Sequence, residues 1–204
     1  DSPHGFFAGA TGGGKSNTLA VITNMLKACY PPEDVALFYF DFKIVEAMMH
    51  ASPYKWGHCK AISGSVVPEY LISLLNKITE EHFRRTNELF KPAGVVKLSA
   101  YWDYLENKKK ELIEQGKPEE AKKIIKPPRI VVLIDELVQG YSIDDEVSKE
   151  MDKSLSEIAR LARATGIHLL LVSQAPDGKI KDVVMNNIRV RGCTKAPKST
   201  SVEV

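Results

Sequence analysis

Residues 9–16 read Gly9-Ala10-Thr11-Gly12-Gly13-Gly14-Lys15-Ser16, and the reading of this stretch decides the fold class. A run of glycines lets the backbone curl until successive N–H groups point at one centre. A helix starting just behind them adds the positive end of its dipole. Lys15 is spaced to reach the outer phosphates of a triphosphate, and the Ser16 hydroxyl to coordinate Mg²⁺. The segment from Gly9 to Ser16, with Asn17 beside it, is therefore the candidate binding loop for ATP and Mg²⁺. The motif carries that meaning only between a strand and a helix. Residues 5–8 contain Phe6-Phe7 and suit a buried parallel strand. Residues 17–30 place Leu19, Ile22, Met25 and Leu26 at helical spacing before Pro31-Pro32 stops them.

Outward from the loop, apolar runs alternate with amphipathic ones. Val35-Ala-Leu-Phe-Tyr-Phe40, closed by Asp41, predicts a strand buried on both faces. A helix is predicted over 67–90, with Leu71, Leu74, Leu75 and Ile78 on one face. Residues 91–128 are dense in charge, with Lys108-Lys-Lys-Glu111 and Glu119-Glu120 among them, and predict a solvated helical excursion. Ile130-Val-Val-Leu-Ile134 is the next strand and ends in Asp135-Glu136. A helix over 151–165 follows, capped by Gly166, then a strand over 167–172 that ends at Ser173-Gln174. A short last strand is predicted over 188–193. Alternation of this kind makes an α/β fold, a mostly parallel sheet with helices on both faces. Ligands of such sheets collect at the carboxyl ends of the strands, where the loop, Asp41, Asp135-Glu136 and Gln174 all fall.

Each strand end has a chemical reading. Asp135 stands where a carboxylate holds Mg²⁺, directly or through water. Glu136 is placed to orient and deprotonate an attacking water. Gln174 offers a neutral amide to the γ-phosphate and to that water. Asp41 and Lys43 either reach the edge of the site or pair with each other. Phosphoryl transfer also builds negative charge that a cation from a neighbouring subunit can meet, with Arg84, Arg85, Arg163, Arg189 and Arg191 as candidates. His50, His58, His82 and His168 show no ligand-like grouping, and His168 reads as a hydrogen-bonded core residue.

The chain has 204 residues, 44% of them hydrophobic, enough for one sizeable core. Its 28 basic and 26 acidic residues leave a net charge of +2, which neither requires nor excludes nucleic acid. Cys29, Cys59 and Cys193 are far apart and form no Cys-x-x-Cys pair, so a reducing, cytoplasmic compartment without a zinc site is expected. No apolar run approaches the roughly 20 residues that span a bilayer, so any membrane anchor is expected outside this stretch. We read residues 1–204 as a single motor core excised from a longer protein.

In combination, Gly9–Ser16, Asp41-Phe42-Lys43, Ile134-Asp-Glu-Leu137, Arg163-Ala-Thr-Gly-Ile-His-Leu169, Ser173-Gln-Ala-Pro176 and Asn186-Asn-Ile-Arg-Val-Arg191 resemble the FtsK/SpoIIIE motor ATPases, in that family's order from about residue 3 to 204. The resemblance implies a RecA-like domain working in a ring, usually a hexamer, with ATP between subunits and double-stranded DNA as cargo. It implies Arg191 as first choice for the arginine acting on a neighbour's nucleotide, and Arg85 as second. Two positions depart from the pattern: Phe42 replaces the family's proline, and Ala175 its arginine. The related ATPases of type VII secretion, whose cargo is a protein with a C-terminal signal, share much of the pattern. They usually carry a glycine-rich stretch where this chain has Ile44-Val-Glu46-Ala, which is closer to the DNA-moving branch.

Overall fold

Four of the apolar runs lie side by side because each is apolar on both faces and neither face tolerates water. The computed structural model describes residues 3–43, 57–141, 145–174, 180 and 182–195. The strands are β1 (Gly5–Ala8), β2 (Val35–Asp41), β3 (Cys59–Gly64), β4 (Arg129–Asp135), β5 (Ile167–Ser173) and β6 (Val190–Cys193). They form one sheet in the order β3-β2-β4-β5-β1-β6, and every pairing is parallel. The register is level at the carboxyl end: Ala8 faces Ser173 and Cys193, and Asp41 faces Asp135.

Period-two alternation divides each run between two cores. Phe6, Phe40, Val132, Ile134, Leu169 and Leu171 point to one side, where α2 (Pro68–Arg84) and α6 (Asp145–Leu161) cover them. Leu37, Tyr39, Leu133, Leu170 and Val172 point to the other, under Leu19, Ile22 and Leu26 of α1 (Lys15–Cys29). The charged excursion is helical as expected, in α3 (Leu98–Glu114) and α4 (Pro118–Lys122). Two short helices, α5 (Leu137–Gly140) and α7 (Asp182–Met185), complete the described elements.

Several boundaries differ from the periodicity. The helix predicted over 67–90 becomes a π-helix from Arg85 to Phe90, where the Lys91 amide reaches back to the Thr86 carbonyl. At about 3.6 residues per turn, Arg85 and Phe90 would face apart; the wider turn buries both. The helix predicted from residue 151 starts at Asp145, where Asp145 and Glu146 complement its dipole, and ends at Leu161 before a turn into Gly166 at φ 75°. Strand β3 has no apolar run to announce it: Lys60, Ser63 and Gly64 interrupt a strand that, among the described residues, pairs with β2 alone, through a register shift. His50, residues 44–47 and the Ala175-Pro176 pair lie outside the described residues.

Candidate active site

The level register brings four chain segments to one end of the sheet. Strand β1 runs straight into the glycine loop, with the Gly9 amide on the Ser173 carbonyl at 3.3 Å and the Gly13 amide on the Ala10 carbonyl at 2.9 Å. Gly12 and Gly14 adopt φ 71° and 95°, and the space beside their Cα atoms is open. Gly13 is enclosed instead, since a Cβ there would stand 2.6 Å from the Lys195 carbonyl oxygen and 2.8 Å from that of Ala10. The segment after β6 supplies that wall: the Thr194 amide bonds the Ala8 carbonyl and the Ala10 amide the Lys195 carbonyl, each at 2.9 Å. Thr194 and Lys195 were invisible in the sequence, because only the pairing of β6 with β1 sets them against the loop. Helix α1 starts at Lys15 with neither a side-chain cap nor an acidic residue in its first turn. Its first N–H groups, which have no helical partner, thus lie behind the loop without a competing carboxylate.

Strand β4 delivers the acidic pair. The Asp135 carboxylate accepts the Glu136 amide at 2.9 Å, and Glu136 turns into the left-handed region at φ 55°. It is 3% exposed, a position that a carboxylate holds only with charged or hydrogen-bonding partners. Oε1 has three: the Lys43 ammonium at 2.6 Å, the Gln174 amide at 3.4 Å and the Lys15 ammonium at 3.6 Å. Lys15 also donates to the Gly9 carbonyl at 2.7 Å. Loop, metal-type carboxylate, candidate base and candidate sensor therefore converge on a single group.

Both readings of Asp41 and Lys43 are met at different atoms. The Lys43 backbone amide donates to the Asp41 carboxylate at 2.7 Å, closing the turn after β2, while its side chain crosses to Glu136. Thr11, Gly12, Lys15 and Ser16 on one side and Asp41, Lys43, Asp135 and Glu136 on the other enclose a pocket of about 290 Å³. A second hollow of about 240 Å³ continues it past Ala10, Gly14 and Asn17. Open glycine faces, an unopposed helix start and two ammoniums beside oxygen ligands fit a triphosphate tail and a hard cation.

The arginines separate. Arg85, the second choice for a finger, is not among the residues brought to this end of the sheet. It is 1% exposed and donates to the Pro128 and Thr165 carbonyls, each at 2.8 Å, and to Glu81 at 2.7 Å. Those carbonyls precede β4 and β5, at the sheet's opposite end from the loop. Arg191 is exposed on the edge strand β6 and folds onto the Met185 and Ile188 carbonyls at 2.7 and 3.0 Å. His168 makes the expected hydrogen bond, to the Pro3 carbonyl at 2.8 Å, but it is half-buried and not a core residue.

Comparison with known proteins agrees with this geometry. The model of the FtsK/SpoIIIE family matches residues 1–177. The DNA translocase FtsK of Listeria monocytogenes is 33% identical over 192 residues, 93% of this chain and 23% of that protein. The pCW3 conjugation coupling protein TcpA, solved with ATPγS, superposes with a TM-score of 0.71 at 27% identity, over the whole of this chain and 51% of its own. The cytoplasmic domain of the Thermomonospora curvata type VII secretion ATPase EccC shares the fold, with a TM-score of 0.72 at 24% identity over 98% of this chain and 21% of its own. The chain thus spans about a quarter of the curated translocase's length, and it belongs to the FtsK/SpoIIIE family as an ATPase domain.

Proposed function

We propose that this chain hydrolyses ATP to move double-stranded DNA through a homo-oligomeric ring, a hexamer by family resemblance. The observation that carries the hydrolytic half is Glu136, a buried carboxylate held by Lys15, Lys43 and Gln174 beside Asp135. The amides of Gly9 to Ser16 and of Asn17, including those of Ala10, Thr11 and Gly13, form the phosphate cradle. Lys15 neutralises the outer phosphates. Ser16 and Asp135 hold Mg²⁺, which supplies charge stabilisation when bound. Glu136 takes the proton from the attacking water, and Gln174 fixes that water's position. Arg191, on the open edge of β6, acts on the neighbouring subunit's nucleotide. The DNA half rests on similarity to a DNA translocase at 33% identity over nearly the whole chain.

The test is phosphate release by the purified protein, alone and with duplex DNA. Glu136→Gln should lower turnover at least about 10²-fold, as loss of a general base does, while ATP still binds. Equal turnover in the two proteins would overturn the hydrolytic reading. DNA should stimulate turnover, and the stimulation should fall steeply with salt as counterions compete for the phosphates. No stimulation by DNA, together with stimulation by a C-terminal signal peptide, would replace the DNA reading with protein secretion.

A further inference from the structure

The sheet end opposite the glycine loop holds a second hollow, about 750 Å³, that hydrolysis does not use. Among the described residues its wall has one sign: Lys97, Arg129, Arg160 and Arg163 line it, and no described carboxylate does. Among the described residues, neither Lys97, Arg129 nor Arg160 forms an ion pair. Three separate elements bring these cations together: Lys97 immediately precedes α3, Arg129 opens β4, and Arg160 and Arg163 stand at the end of α6. The Arg129 guanidinium is stacked 4.3 Å above the Trp102 ring centre, which orients its fork of donors without satisfying them. Helix α3 begins at the same hollow with Ser99 in its first turn, where no acidic side chain opposes the dipole and no side chain caps it. Burial holds His168 below its ordinary range and Arg129 lowers it further.

Lys97, Arg129 and Arg160 share one hollow with no ion pair among the described residues, so they repel one another, and a bound anion relieves that repulsion. Guanidinium forks match the oxygens of a phosphate in pairs, and an ammonium adds a point charge. We propose that this hollow is a second anion site, distinct from the nucleotide pocket, that takes a phosphate group on Lys97, Arg129, Arg160 and Arg163. Strand β4 alone separates the two sites by roughly 20 Å, since Arg129 opens it and Asp135 ends it. The phosphate has two possible sources, a nucleic-acid backbone or a free polyphosphate. Only the first rests on the translocase reading above.

His168 lines the hollow and provides a local probe that binding at the glycine loop does not touch. Its ring signal, assigned with His168→Gln, is followed by NMR through pH titrations of the full chain with inorganic pyrophosphate or with a short DNA duplex. The site is supported if either ligand raises the His168 midpoint by about one pH unit, as a nearby opposite charge does, and if the rise is lost in a Lys97→Ala/Arg160→Ala variant that keeps its DNA-independent ATP turnover. A rise with pyrophosphate alone identifies a free polyphosphate as the source, and a rise with the duplex identifies the backbone. A midpoint unmoved by both ligands, or moved equally in the double variant, overturns the proposal. DNA-stimulated turnover is judged separately, so failure of the translocase reading leaves the pyrophosphate result intact.

Discussion

Glu136 is the described non-glycine residue with positive φ, a conformation that costs about 1–3 kcal/mol at such sites. It persists because Asp135 holds its amide and three donors hold its carboxylate. The result is a carboxylate held against the pocket that the glycine loop lines, the placement that the proposed role as base requires. Lys43 makes the shortest of those contacts, yet its side chain is 38% exposed, so its removal should leave the fold intact. We expect Lys43→Ala to lower kcat about tenfold with little change in KM for ATP, and Lys43→Arg to recover part of the loss. A Lys43→Ala protein with unchanged kcat would reduce the lysine to a surface ion pair of the weak, exposed kind.

The two candidate arginines differ because the elements that carry them differ. The π-helical segment from Arg85 to Phe90 turns a charged residue inward, where it ties the chain entering β4 to the chain entering β5. Among the described residues strand β6 pairs with β1 alone, and Arg191 on it is exposed. Arg85→Ala would leave the Pro128 and Thr165 carbonyls without their donor, while Glu81 keeps Arg84, at a cost of about 3 kcal/mol. Arg191→Ala gives up one exposed and one part-buried hydrogen bond to carbonyls. Chemical denaturation should therefore show Arg85→Ala clearly destabilised and Arg191→Ala close to the parent. Turnover per folded molecule should fall chiefly in Arg191→Ala. The reverse pattern would restore Arg85 to the candidate site and remove Arg191. Neither the π turn nor β3 was legible beforehand, since a helical repeat does not distinguish an α from a π turn and β3 has no apolar run.

For the molecule as a whole, acid sensitivity should begin above the carboxylate range. His4 is buried, and that burial, with His168 and Arg163 nearby, lowers its pKa to about 4. Burial lowers His82 and His168 as well. The unfolded chain protonates these rings near pH 6.5 while the folded chain does not. Stability present above that pH is therefore lost as pH falls toward 4, by about 3 kcal/mol for His4 alone. Urea denaturation at several pH values should show that decline, and His4→Gln should flatten it. A His4→Gln protein with an unchanged slope would assign the decline to other groups. By itself, the sequence determined the α/β class, the phosphate loop and the strand-end positions of Asp135, Glu136 and Gln174. Each depends on local patterning, apolar runs that must be buried on both faces and glycines that must turn, and chain order alone conveys it. Only the tertiary structure decided that Lys43 crosses to Glu136, that Thr194 and Lys195 wall the loop, that Arg85 is buried at the far end of the sheet, and that four cations share a hollow. Those relations join segments far apart in the chain, and strand order and register, which bring them together, are properties of the packed sheet and not of any one stretch of it.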